Sequence, residues 1–318
     1  MKKILIVGAG GQIGSELVPY LRGIYGADNV VATDVRECTG LAEEGPFETL
    51  DALDGKAMDA LVSKYGIDTI FNLVALLSAT GEKNPQLAWK INMGALINSL
   101  EVGREHNCAV FTPSSIGAFG PTSPKDMTPQ DTVMQPTTIY GVCKVTGEMM
   151  SNYYAQRYGL DTRSVRFPGL ISNKTLPGGG TTDYAVEIYY EAIRNGHYTC
   201  AVPSDVYMDM MYMPDALRSI VELMEADPAK LKHRNSFNVT AMSFTPEILA
   251  AEIRKRIPSF TMDYDVDPVK EAIANSWPNQ LDDSCAREEW GWKPQWDISS
   301  MTDDMLAAVA KKLENEKK

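Results

Sequence analysis

Three glycines, Gly8, Gly11 and Gly14, sit between the β-branched run KKILIV (2–7) and the helically spaced stretch QIGSELVPYLRGIYG, and they constrain this chain more than any other feature. The spacing predicts a strand, a tight turn and a helix. In that context the glycines play separate parts, namely the turn itself, close backbone approach to a pyrophosphate, and close packing of helix on strand. The free N–H groups of the helix N-terminus then suit phosphate oxygens. A purely structural turn would leave the same three residues.

The rhythm continues along the chain. NVVATD reads as a second strand, followed by a helix near 55–65, the strand DTIFNLVA, a helix over about 85–105, the strand CAVFTPSS, a helix that carries Tyr140, and the strand TRSVRF. Strands separated by helices predict an α/β fold with a Rossmann-type, doubly wound parallel sheet. After Pro168 the pattern breaks into NKTLPGGGTTDY, too polar and glycine-dense for a core element, which reads as a substrate-facing loop. VYMDMMYM, PDALRSIVELMEA and SFNVT return to the sheet, with Met208, Met210, Met211 and Met213 lining a core strand. From about 245 the helices TPEILAAEIRKRI and SMTDDMLAAVAKKLE should build a smaller cap. The expected division is 1–168 plus about 205–241 for the dinucleotide domain, and about 169–204 plus 242–318 for a substrate-binding cap.

Asp34 ends the second strand twenty residues after Gly14, where a carboxylate accepts hydrogen bonds from adenosine ribose hydroxyls and repels a 2′-phosphate. NAD is therefore expected over NADP. Arg36 is the counter-signal, being either a phosphate holder or a solvated surface charge. Gln12 and Ile13 lie within the glycine turn, Asp51 and Ala52 are placed near the adenine, and Leu73 and Ala75 beneath the pyrophosphate and ribose. Asn92, Tyr140, Lys144 and Pro168 complete the expected cofactor set. Each strand-end residue would also serve as ordinary packing.

The second constellation is Tyr140-Gly-Val-Cys-Lys144, whose phenol and ammonium fall one helical turn apart on one face. A phenol is a poor base at neutral pH, and a nearby ammonium favours its ionised form. Ser115 follows the strand CAVFTPSS and precedes Tyr140 by 25 residues, so its hydroxyl is expected to orient a substrate oxygen across the same site. Tyr140, Lys144 and Ser115 are thus the expected catalytic group.

Together the glycine turn, Asp34, Asn72-Leu73-Val74-Ala75, Ser115 and Tyr140/Lys144 resemble the extended short-chain dehydrogenase/reductase family. LDDSCAREEWGWKPQWDISS near the C-terminus resembles its closing pattern, so the likeness spans nearly the whole chain. Within that family, LLSATGEKNP (76–85), PSSIGAFGP (113–121), RFPGLIS (166–172), GGGTTDYAVEIYYEAI (178–193) and SWPNQLDDSCAR (276–287) resemble the threonine 3-dehydrogenase branch. That resemblance implies oxidation of L-threonine at its β-carbon by NAD to 2-amino-3-oxobutyrate. It also implies a homodimer formed by the helices at about 85–105 and 140–158. A zwitterionic amino acid needs partners for its ammonium and carboxylate; Ser78, Gly179, Thr181 and Asp183 are the candidates beside Ser115 and Tyr140. Ser78 and Thr181 would equally serve as loop-stabilising hydroxyls, and Asp183 as an N-cap. The glycines of 174–183 suggest a lid that orders over the amino acid.

Two rivals keep the same fold. A nucleotide-sugar epimerase or dehydratase would use the same tyrosine, but Arg166-Phe167-Pro168-Gly169 stands where the sugar enzymes carry an asparagine, and Arg254 and Arg256 are expected on a helix surface. A non-enzymatic NAD sensor would not need the tyrosine. A formal charge of −12, from 42 acidic and 30 basic residues, opposes a nucleic-acid partner. The five cysteines, at 38, 108, 143, 200 and 285, are odd in number and widely spaced, which reads as reduced thiols. A strand starting at the third residue leaves no room for a leader, and no apolar run suits a membrane span, so a cytoplasmic enzyme is expected. His106, His197 and His233 share no predicted helical face with carboxylates or cysteines, so no metal is expected. Trp277, Trp290, Trp292 and Trp296 read as cap packing.

Overall fold

The computed structural model describes residues 1–175 and 180–316. Its main sheet has six parallel strands in the spatial order Phe47–Thr49, Val30–Asp34, Ile4–Val7, Thr69–Asn72, Ala109–Phe111 and Thr162–Arg163. Side chains alternate along each strand, so Ile4 and Ile6 meet the helices Gly14–Tyr25 and Met213–Glu225, while Leu5 and Val7 meet Gly55–Tyr65, Pro85–His106 and Ile139–Tyr158. Both faces are covered, which is why the strands read as continuous apolar runs. The chain winds outward from Ile4–Val7 on one side and then restarts at Thr69–Asn72 on the other. The crevice where the winding reverses, past the carboxyl ends of these two strands, is the ligand position of such sheets.

Two segments expected as single strands are interrupted. Pro113 has no N–H for a ladder, and the chain that leaves the main sheet after Phe111 resumes pairing at Ser114–Ser115 with Val165–Phe167. TRSVRF likewise changes partner at Ser164, whose carbonyl accepts from the N–H groups of Ser236 and Phe237, both at 3.0 Å. Those bonds bring in Phe237–Asn238 as the third strand of this second ladder.

The strand Met208–Tyr212 joins two cores. Met208, Met210 and Tyr212 face the companion part, packed by Tyr184–Arg194, Pro246–Arg254 and Ile298–Glu316, while Met211 faces the main core. All four methionines read as core residues are fully buried. The closing segment departs from its expected place in the cap. The helix Ser284–Trp290 contributes Ala286, Cys285 and Trp290 to the main core together with Trp292, whereas Trp296, against Tyr212, and Ile298 lie on the companion side. An apolar face on a seven-residue helix does not reveal which core it joins.

Candidate active site

The glycine turn opens directly into the crevice. Gly8 has φ +89°, and a Cβ there would come within 3.0 Å of Val74. A Cβ on Gly14 would stand 2.3 Å from the Gly8 carbonyl oxygen, so only glycine lets the first helix start against the strand end. Gly11 differs: its nearest neighbour would be the Gly8 oxygen at 3.4 Å, which leaves its outer side open for a bulky group to approach. Asp34 accepts from the N–H of Gly10 at 2.9 Å and of Arg36 at 3.3 Å, and these bonds aim its carboxylate at the turn. The Arg36 side chain is exposed and has no partner among the described residues.

A cleft of about 840 Å³ continues from this turn between the sheet and the companion part. Its walls include Gln12, Ile13, Leu73 and Ala75, then Ser115, Tyr140 and Lys144, then Pro168, and with them Ser78, Thr181 and Asp183. The fold thus brings together residues separated by up to about half the chain. Besides the three turn glycines and Asp34, three of the expected cofactor residues are not on these walls. Asp51 and Ala52 follow Leu50, whose N–H bonds the Asp34 carbonyl, and so lie beside the Asp34 end of the turn. Asn92 braces the frame: its amide oxygen accepts from Leu76 N–H at 2.7 Å and its NH2 donates to Leu76 C=O at 3.2 Å. Both polar ends are spent holding the loop that carries Ala75. Gly179 lies outside the described residues, as does part of the expected lid, 176–179.

Tyr140 is the second residue of the helix Ile139–Tyr158, whose start is fixed twice. Thr138 caps it by accepting from Gly141 N–H at 3.1 Å, and Glu82 accepts from Ile139 N–H at 2.7 Å. Lys144 donates to the Pro113 carbonyl at 2.6 Å, with its ammonium 5.3 Å from the centre of the Tyr140 ring. Ser115 Oγ accepts from Gly117 N–H at 3.1 Å, and that bond leaves the hydroxyl proton available to the cleft.

Gly117 is the residue that sequence reasoning missed. A Cβ there would lie 3.1 Å from two carbons of the Tyr140 ring, and one on Gly141 would lie 2.2 Å from the Gly117 oxygen. The paired glycines let the tyrosine helix settle onto the turn Ile116–Ala118. Their only sequence signal is position, two residues after Ser115 and one after Tyr140. Trp277 does more than pack the cap: it is 6% exposed, contacts Ile116, Phe119, Ile273 and Leu281, and closes one wall of the cleft.

Behind Ser115, its neighbour Ser114 turns inward to donate to buried Glu148, which is held in a two-point ion pair by Arg166 at 3.0 and 2.8 Å. Arg166 also donates to the Gln130 carbonyl and to Asn238. Its guanidinium is thus consumed inside the protein. Arg254 and Arg256 are likewise engaged, with Glu247 and with Asp303 and Glu252 respectively, away from the cleft.

The substrate candidates divide by their bonding. Thr181 is 2% exposed, lines the cleft, and its hydroxyl has no hydrogen-bond partner among the described residues. Ser78 is buried at the start of the helix Ser78–Lys83, and its hydroxyl also has no partner among those residues. Asp183 accepts from Gly180 N–H at 2.6 Å and so closes the turn Thr181–Asp183 that leads into the helix Tyr184–Arg194. At the far end of the loop Ser172 donates to Glu16 on the first helix, whose carboxyl is pushed up by burial and held back by that bond and by Lys174. This segment is thereby tied to the first helix.

Residues 4–240 match the NAD dependent epimerase/dehydratase family. The chain belongs to that family. An uncharacterized epimerase/dehydratase of Staphylococcus aureus is 57% identical over 314 residues, 98% of both chains. Among solved structures, L-threonine dehydrogenase from Clostridium difficile superposes with a TM-score of 0.97 at 56% identity, covering 98% of each chain. A monomeric L-threonine 3-dehydrogenase from a metagenome superposes with a TM-score of 0.94 at 41% identity, covering 97% of this chain and 99% of that one. The family's cofactor, NAD, fits the residues present: the open side of Gly11 and the first-helix N-terminus would hold its pyrophosphate, and the aimed carboxylate of Asp34 its ribose. No helix among the described residues is long and apolar enough to cross a membrane.

The histidines bring a correction. His106 pairs with Asp59 and His197 with Thr261, but His233 does meet a cysteine and a carboxylate, because the fold lays its loop against the helix Ser284–Trp290.

Proposed function

We propose that this protein oxidises L-threonine at its β-carbon with NAD, giving 2-amino-3-oxobutyrate, NADH and a proton. The observation that carries the reading is the cleft whose walls hold Tyr140, Lys144 and Ser115 together with Ser78 and with Thr181, whose buried hydroxyl has no partner among the described residues. A buried hydroxyl without a partner costs about 1–3 kcal/mol, which a bound polar ligand would relieve. Sugar-nucleotide chemistry would need cations for a second diphosphate, yet Arg166, Arg254 and Arg256 are all engaged elsewhere. The high likeness to threonine dehydrogenases over the whole chain supports the same substrate.

In this reading the β-hydroxyl lies between Ser115 and Tyr140. Ser115, its own lone pair taken by Gly117 N–H, donates to the substrate oxygen and orients it. Tyr140 accepts the hydroxyl proton as the C–O bond becomes a carbonyl. Lys144, fixed by the Pro113 carbonyl, stands beside the ring and stabilises the ionised phenol. Bound NAD supplies the hydride acceptor. Thr181 and Ser78 hold the amino-acid head group, and Trp277 excludes water from one side.

The test is near-ultraviolet absorbance of the reduced nicotinamide with NAD and L-threonine, run beside NADP, L-serine, L-allo-threonine and UDP-sugars. Reduction with L-threonine that disappears in Tyr140→Phe is the expected result; turnover of a UDP-sugar with silence towards every amino acid would overturn the substrate. A homodimer is part of the proposal, since Leu87 and Trp89 on one helix and Met149 and Tyr153 on the other leave apolar surface exposed. Sedimentation as a monomer at micromolar concentration would refute it.

A further inference from the structure

On the side of the molecule that carries the closing segment, Cys285 and Glu289 are four residues apart on the helix Ser284–Trp290 and so share one face. His233, on the loop that leads into Phe237–Asn238, meets that face. The donor atoms of His233, Cys285 and Glu289 all lie within 4.8 Å of one another. The imidazole is oriented from both ends: Nδ1 hydrogen-bonds Glu289, and Nε2 lies 3.4 Å from Asp131 Oδ2. A carboxylate on the far nitrogen is the arrangement that fixes a metal-binding histidine's tautomer, leaving the near nitrogen as a lone-pair donor. Glu289 is fixed too, because its second oxygen accepts from the N–H groups of Lys232, at 2.5 Å, and His233, at 3.1 Å. Asp131, Asp282 and Glu288 add negative charge around the thiol.

We propose that His233, Cys285 and Glu289 form a binding site for a divalent transition metal of the zinc class. One sulfur, one nitrogen and one oxygen donor suit Zn²⁺ or Co²⁺, whereas Mg²⁺ and Ca²⁺ take oxygen alone. Tetrahedral ligands at ordinary zinc distances stand roughly 3.5 Å apart, so the ion enters by opening the His233–Glu289 hydrogen bond and drawing in Cys285 by about 1 Å. A water completes the fourth position on the solvent side. The metal would clamp the loop before Phe237–Asn238 to the closing helix, beside the ring packing of His233, Phe237 and Trp290. None of the three ligands lines the catalytic cleft, so the site is structural and independent of the substrate assignment.

The experiment is a Co²⁺ titration of the chelator-treated full chain, read by electronic absorption and by thermal unfolding. The expected result is one equivalent bound, a thiolate-to-cobalt charge-transfer band with the intense visible bands of tetrahedral cobalt, displacement by Zn²⁺, and a raised Tm. Cys285→Ser and His233→Gln should abolish the bands while turnover stays unchanged, and Asp131→Asn should weaken binding by about 10- to 100-fold. Cys38→Ser, at the other partly exposed thiol, should alter nothing. Absence of the charge-transfer band at stoichiometric cobalt, or its persistence in Cys285→Ser, would overturn the proposal. Should Cys285→Ser unfold, a band unaffected in His233→Gln would overturn it equally.

Discussion

Replacing Gly117 by alanine adds one methyl at the point where the tyrosine helix meets the serine turn. Gly117 has no positive φ, so alanine is compatible with the backbone and any effect must come from contact. The new Cβ would stand 3.1 Å from the two near carbons of the Tyr140 ring and 3.5 Å from Ser115 Oγ. Carbon pairs rest at about 3.5–4.0 Å, so the ring must retreat by roughly 0.5 Å while the serine hardly notices. A 1 Å misplacement of a catalytic group costs on the order of a hundredfold, so half of that predicts about a tenfold lower kcat, about 1.4 kcal/mol. Overpacking of one methyl should cost folding about 1–3 kcal/mol. The assay is steady-state NADH formation with Tm measured on the same preparations, in single variants and in Gly117→Ala combined with Tyr140→Phe. An unchanged kcat, or a further tenfold loss on top of Tyr140→Phe, would refute the idea that Gly117 acts through the tyrosine.

Two other expectations follow from buried polar groups. Thr181→Val removes a hydroxyl that has no partner among the described residues, so Tm should hold or rise while KM for L-threonine rises about five- to tenfold at unchanged kcat, as steady-state kinetics would show; a fall in Tm with normal KM would assign the hydroxyl to folding. Asp209 is fully buried, and burial pushes its carboxyl up to about 8 despite bonds from Thr240 and Leu281 N–H. Since that folded value exceeds the unfolded one, near 3.9, the folded state holds the extra proton between about pH 4 and 8. Stability therefore falls as pH rises through that window, by at most about 1.4 kcal/mol per unit, and Asp209→Asn should flatten the dependence in denaturant titrations; a gap between wild type and variant that stays constant from pH 5 to 8 would refute the buried proton.

Much of the site was legible because its chemistry rests on local spacing. Gly8, Gly11 and Gly14 act within one turn, Asp34 ends the strand beside it, and Tyr140 and Lys144 share one helical face, so strand–turn–helix geometry alone carries them. The parallel sheet was legible for the same reason: alternating apolar strands and amphipathic helices admit few other arrangements. Contacts between distant segments were not. Nothing local shows that Asn92 spends its amide on Leu76, that Trp277 closes the cleft, or that Trp292 returns to the first core. Gly117 carries meaning only once the Tyr140 ring lies on it, and His233, Cys285 and Glu289 become a cluster only when a loop docks on a seven-residue helix. Periodicity fixes which face of an element is apolar, whereas the partner of that face is chosen by packing across the whole molecule, and only the tertiary structure makes that choice.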